Sequence, residues 1–148
     1  MHGDVKPSNV LLGLRDGKVV SAKVCDFGMS RIKTSFEQTT TARAVQGTGS
    51  YMAPEQLRGK VRVKCNFATD VWATASTIVE AFMGKDLWQV PVERDAADFI
   101  RNCLERKVDP PTLADAVSSY SQVFVRLQAA FSVQPENRPD MKALHKIF

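Results

Sequence analysis

The chain is predicted to be mainly α with a small β-hairpin, on three observations. Two short β-rich runs near the start flank an Asp-Gly pair, the following stretch is polar and aperiodic, and the second half carries apolar residues at three- and four-residue spacing. A length of 148 residues fits one domain with a core of ordinary size, and nothing in the pattern suggests two. Hydrophobic residues at 44% and charged residues at 24% argue against a wholly disordered chain. Twenty basic against sixteen acidic residues give a formal charge of +4, which permits an acidic partner without specifying one, so nucleic acid is not expected as a ligand.

The hairpin is expected from "NVLLG" and "VVSAKVC", joined by "LRDGK" with its turn at Asp16 and Gly17. It holds two loops side by side, Asp4 to Pro7 before the first strand and Asp26 to Gly28 after the second. Ser30 to Ser50 reads as a long exposed loop. Residues 66–83 place Phe67, Val71, Ala75, Ile78 and Phe82 at helical spacing with further apolar residues between them, the pattern of a buried central helix that Gly84 ends. "ERDAADFIRNCLERK" is an amphipathic helix with Ala97, Ile100, Cys103 and Leu104 on one face, halted before Pro110 and Pro111. "SYSQVFVRLQAAF" is a third helix facing the core with Val123, Leu127, Ala130 and Phe131, and "RPDMKALHKIF" a short fourth with Pro139 near its first turn.

Three cysteines, Cys25, Cys65 and Cys103, show neither zinc-ligand nor disulfide-rich spacing, which fits a reducing, intracellular and cytoplasmic setting. No run approaches the length needed to cross a bilayer, although a larger protein could be anchored through another segment.

The chemistry concentrates in the opening octapeptide and around the second loop. Phosphoryl transfer needs a carboxylate that orients and deprotonates a hydroxyl, hard oxygen ligands for magnesium, and a cation near the travelling phosphate. Asp4 can supply the first, Asn9 with Asp26 the second and Lys6 the third, while Gly28 gives the backbone freedom beside the metal ligand. A solvated turn leading into a strand explains the same residues taken singly.

Together they resemble the protein kinase signature set. "HGDVKPSN" is similar to that family's catalytic loop, "DFG" at Asp26 to Gly28 to its magnesium loop, and "GTGSYMAPE" at Gly47 to Glu55 to the end of its activation segment. "DVW" at Asp70 to Trp72 resembles the start of the family's central helix and "PENRP" at Pro135 to Pro139 its last conserved element. The resemblance implies a partial catalytic domain over residues 1–148, running from the catalytic loop to the last helix, in a kinase-like C-terminal lobe lacking the N-terminal lobe.

It further implies Asp4 as catalytic base and Lys6 as the partner of the transferred phosphate, with Thr48 joining them to position the acceptor hydroxyl. Asn9 and Asp26 become ligands of magnesium, with manganese as an alternative, and ATP is the phosphate donor. Asp70 would brace the catalytic loop backbone, Glu55 would pair with Arg138, and His2 and Phe27 take packing roles around the magnesium loop. Lys6 points to a serine or threonine of a protein substrate as acceptor, within the tyrosine-kinase-like and mitogen-cascade groups. The activity is expected of the parent protein, and the isolated 148-residue chain is expected to be inactive. A catalytically dead kinase-like interaction module is the alternative, and a partner or scaffold is expected over the exposed lobe surface.

Two departures from the family pattern matter. Gly3 stands where the family usually carries the Arg that reads a phosphate on the activation segment, so activation through that clamp is in doubt. Thr34, Ser35, Thr39, Thr40, Thr41 and Ser50 read either as phosphorylation sites or as ordinary loop polarity. The glycine-rich phosphate loop, the ATP-gripping Lys and its Glu partner would all precede His2. Trp72 and Trp88 are assigned to the core, Cys25 to a buried position on its strand, and His145 to a surface or packing role. "RGKVRVK" from Arg58 to Lys64 fits a solvated face or contact with acidic substrates equally well.

Overall fold

The computed structural model describes residues 1–30, 49–57 and 66–147. Most of the expected loop, the Arg58 to Lys64 cluster, Cys65 and Thr48 lie outside the described residues. Strands β1 (Val10–Arg15) and β2 (Lys18–Val24) pair antiparallel, with Val10 opposite Val24 and Arg15 opposite Lys18. Asp16 and Gly17, both at positive φ, make the two-residue turn that right-twisted strands favour. The register slips between Gly13 and Leu14, a bulge that increases the local twist.

Six α-helices follow among the described residues: α1 (Pro54–Leu57), α2 (Phe67–Met83), α3 (Ala96–Glu105), α4 (Pro111–Ser119), α5 (Ser121–Leu127) and α6 (Met141–His145). Helix α2 is the axis of the fold. Asn66 Oδ1 accepts the Ala68 amide at 2.8 Å while Thr69 Oγ1 accepts the Asn66 amide at 3.2 Å, so both ends of the first turn are satisfied reciprocally. Its first half is buried all round at Thr69, Asp70, Val71, Trp72 and Ala73, and Gly84 ends it in the left-handed conformation.

The core lies between α2 and the helices that follow, with Trp72, Trp88, Leu57, Leu87, Ile100, Phe124 and Leu127 all essentially removed from solvent. Each such side chain contributes roughly 1.5–3 kcal/mol by burial. Trp72 stacks edge-on against Phe131 at 5.2 Å, and Phe82 against Phe124 at 5.4 Å. Both tryptophans are therefore core residues.

Several expectations change in detail. Phe67 and Phe82 of the anticipated apolar stripe are half exposed, because they lie in the end turns of α2, where Phe82 is covered on one side only, by Tyr120 and Phe124. Pro110 and Pro111 do more than halt α3. They open α4, an unanticipated helix, since a proline in the first turn lacks only an amide that has no helical partner there. The third helix is α5 followed by a 3-10 turn over Gln128–Phe131; Leu127, Ala130 and Phe131 of the expected face are buried, and Phe124, which lies off that face, is buried as fully. Pro139 precedes α6 rather than entering it: Arg138 is extended, and Asp140 caps the helix by accepting the Ala143 amide at 2.7 Å.

The hairpin meets the helical body only near its open end. Strand β2 is exposed along its length, and Leu11, Leu12, Leu14, Val19 and Val20 are each more than half exposed. Cys25, just past β2, is consequently half-buried rather than buried.

These burial patterns separate two phenylalanines of equal size. Phe124→Ala should cost about 3–5 kcal/mol in urea unfolding, whereas Phe67→Ala should stay within about 0.5 kcal/mol of the parent. Comparable losses at both positions would place Phe67 in the core.

Candidate active site

The opening residues have no regular structure of their own and are held by α2. Asp70, buried in the first turn of α2, accepts the His2 amide on Oδ2 at 2.7 Å and the Gly3 amide on Oδ1 at 2.8 Å. Amides given to a carboxylate make strong, charge-assisted bonds, and the helix N-terminus favours the negative charge. Gly3 has φ +87, and a Cβ there would lie 3.2 Å from the Met29 carbonyl oxygen. Any other L residue at position 3, Arg included, would be strained in this conformation.

His2 joins the two loops. Its Nδ1 lies 3.3 Å from the Asp4 amide and its Nε2 3.0 Å from the Cys25 carbonyl oxygen. The amide donates and the carbonyl accepts, so the network calls for a neutral ring protonated on Nε2. The ring packs edge-on to Phe27 at 4.9 Å, and Ser30 Oγ donates to the His2 carbonyl at 3.2 Å. His2 is thus fully engaged in holding the loops.

The candidate reacting groups lie within this frame. Pro7–Asn9 form a 3-10 turn that brings Asn9 back toward Asp4. Asn9 Nδ2 donates to the Asp4 carbonyl at 2.8 Å and to Asp4 Oδ2 at 3.1 Å, and Lys6 Nζ meets the same Oδ2 at 3.0 Å. With its NH2 group engaged by Asp4, Asn9 has its amide oxygen, an acceptor, as the atom that could ligate a cation. The Cys25 amide donates to the Asn9 carbonyl at 2.8 Å, which places Asp26 one residue beyond a direct backbone partner of Asn9.

Asp26 itself carries the unusual backbone, at φ 60, and its Oδ1 accepts the Gly28 amide at 3.2 Å. Gly28 is not at positive φ; its contribution is space, since a Cβ would approach Asp26 Oδ1 to 3.1 Å. An amide oxygen and a carboxylate held on adjacent loop ends are hard oxygen donors of the type magnesium takes, so the residues fit that ion. Water and phosphate oxygens would complete its shell.

The far side of the site rests on α1 and the 3-10 turn Gly49–Tyr51. Arg138 binds Glu55 through two bonds, Nη1 to Oε1 at 2.8 Å and Nη2 to Oε2 at 2.7 Å. It also donates to the Ala68 carbonyl at 2.9 Å and the Ser132 carbonyl at 2.8 Å, and its guanidinium lies 5.1 Å from the Trp72 ring centre. Every direction around this buried cation is occupied, and removing either partner would leave an uncompensated charge in the core.

Tyr51 and Glu80 form a contact that sequence reasoning missed. The phenol of Tyr51 donates to Glu80 Oε2, joining the turn to the last part of α2. Tyr51 sits in a recognised motif, but Glu80 is a single acidic residue in the last part of a largely apolar helix and carries no signal of its own.

Burial, then the hydrogen bond to Glu80 and the charges of Glu80 and Asp86, push the Tyr51 phenol well above its ordinary pKa of 10.0. The neutral phenol is the form the fold stabilises, so its contribution is full below pH 10.0 and is lost as pH rises beyond that value. Thermal unfolding followed from pH 8 to 12 should show the parent losing its advantage over Tyr51→Phe as the unfolded phenol ionises. A constant difference across that range would contradict the coupling.

Residues 1–147 match the family described as Protein kinase domain. MAP kinase kinase PBS2 of Saccharomyces cerevisiae is 35% identical over 150 residues, which cover 97% of this chain and 20% of the relative. Dual specificity mitogen-activated protein kinase kinase sek-1 of Caenorhabditis elegans is 33% identical over 130 residues, 72% of this chain and 36% of the relative. Mitogen-activated protein kinase kinase kinase ANP1 of Arabidopsis thaliana is 31% identical over 146 residues, 99% of this chain and 20% of the relative. The chain therefore spans between a fifth and about a third of the length of these curated relatives. With a family match over nearly every residue and relatives of this kind, the chain belongs to the protein kinase family, on its serine/threonine branch.

Proposed function

We propose that the whole protein carrying this chain transfers the γ-phosphate of ATP to a serine or threonine hydroxyl of a protein substrate. The observation that carries the reading is the convergence of Lys6 Nζ and Asn9 Nδ2 on one oxygen of Asp4. That arrangement engages Oδ2, and on this reading Oδ1 takes the acceptor hydroxyl's hydrogen bond and then its proton. Lys6, drawn beside Asp4, would supply the cation that the transferred phosphate needs as it meets the acceptor. Asn9 and Asp26 would hold magnesium through oxygen, and the ion supplies charge neutralisation on the phosphate oxygens when bound. Thr48, one residue before the described turn, is proposed to position the acceptor hydroxyl.

The exposed apolar side chains of β1 and β2 support a further part of the reading. Leu11, Leu12, Leu14, Val19 and Val20 leave apolar surface on the hairpin of the kind that another segment or a partner protein covers. Nothing in residues 1–148 resembles the lid over the phosphates or the Lys that orients them. Because positioning and electrostatics supply nearly all the catalysis in this chemistry, the isolated 148-residue chain should show no appreciable turnover.

The test is phosphate transfer from ATP with magnesium by the whole protein, on serine, threonine and tyrosine acceptors, the last because one relative's name includes dual specificity. Asp4→Asn should lower kcat by on the order of 10²–10⁴, and Asp26→Ala should abolish magnesium-dependent turnover. Activity unchanged by both substitutions would overturn the assignment.

A further inference from the structure

Gly49 opens the turn Gly49–Tyr51 and is buried, immediately after Thr48 in the sequence. A Cβ at this position would lie 2.7 Å from the Cβ of Ala96, 3.2 Å from the Ala97 nitrogen and 3.3 Å from the Ala96 carbonyl carbon. Carbon atoms in good contact stand about 3.5–4.0 Å apart. The backbone of the turn therefore rests directly on the first turn of α3, and any side chain at position 49 would drive the two apart.

Helix α3 is poorly placed to yield. Asp95 caps it by accepting the Asp98 amide at 2.9 Å, Ala97 and Ile100 are buried, and Arg101 Nε donates to the Leu57 carbonyl at 2.8 Å, which ties α3 to α1. On its other side the turn is fastened to α2 through Tyr51 and Glu80. With α2 and α3 both fixed, a wedge at position 49 would be relieved by displacement of the turn.

We propose that Gly49 is a positioning residue for the acceptor protein: its missing side chain seats the turn Gly49–Tyr51 on Ala96, and α3 thereby sets where that turn stands against the acceptor. This rests on the protein kinase reading above. Gly49 touches no reacting group in this account and acts only through the turn it opens. The small residue at position 96 is the other half of the fit, so the two positions should be judged as a pair.

The experiment compares the whole protein with Gly49→Ala, Ala96→Gly and the double variant, by steady-state kinetics in ATP and acceptor protein together with amide hydrogen exchange. Gly49→Ala should raise KM for the acceptor by on the order of tenfold, with KM for ATP and kcat at saturating acceptor held within about twofold. Adding Ala96→Gly removes the 2.7 Å contact and should return most of the lost affinity. The Met52 amide, which bonds to the Gly49 carbonyl, should exchange faster in Gly49→Ala and recover in the double variant, with the Asp98 and Phe99 amides of α3 left as protected as before. An unmoved acceptor KM, a fall in kcat and thermal stability with KM unchanged, or no recovery in the double variant would overturn the proposal. Absence of Asp26-dependent transfer in the unsubstituted protein would instead overturn the kinase reading, and with it the acceptor-positioning role, whatever the exchange data showed.

Discussion

Asp70 receives two backbone amides, from His2 and Gly3, on its two carboxylate oxygens, and through them the opening loop acquires a fixed origin. A segment without regular structure cannot hold a reacting geometry by itself, because it lacks a repeating ladder of backbone hydrogen bonds and must find fixed partners elsewhere. Here the partners are supplied by the first turn of the most deeply buried helix, where the carboxylate is also favoured by the helix N-terminus. His2 then passes the constraint onward, through its ring nitrogens to Asp4 and Cys25 and through its ring face to Phe27. The position of the candidate base relative to the candidate metal ligands is therefore a property of α2 and of the loops' mutual contacts together.

The same helix organises the opposite wall. Its Ala68 carbonyl and Trp72 ring help to surround Arg138, whose two bonds to Glu55 hold α1 in place. Further along, Glu80 takes the phenol of Tyr51 and fixes the turn before α1. A buried ion pair of this kind adds little over an apolar substitute of equal shape, and its value lies in orientation, since bidentate geometry admits one arrangement of the two side chains. One helix thus sets both walls.

The central helix was legible because a long run of helical apolar spacing closes with a glycine, and the hairpin because two β-rich runs flank Asp16 and Gly17. Helix α4 was not, because a Pro-Pro pair reads as a stop as readily as a first turn. Of the candidate site, Asp4, Lys6 and Asn9 share one octapeptide, so their mutual proximity follows from sequence distance alone. Their dependence on Asp70, sixty-odd residues later, became an expectation only through the family resemblance. Tyr51 with Glu80 and Gly49 with Ala96 had no such signal, since a hydrogen bond between distant residues and a missing side chain leave no periodicity behind.

The claim that Asp70 fixes the loop is most directly tested by amide hydrogen exchange on Asp70→Asn. Asparagine keeps the shape but offers one acceptor oxygen in place of two, so one of the two amides loses its bond and the other loses its charge assistance. The account predicts faster exchange at His2 and Gly3, with the amides in the second half of α2, such as Gly84 bonded to the Glu80 carbonyl, left as protected as before. Unchanged protection at His2 and Gly3 would show that the loop is held by something other than this carboxylate, and would contradict the account.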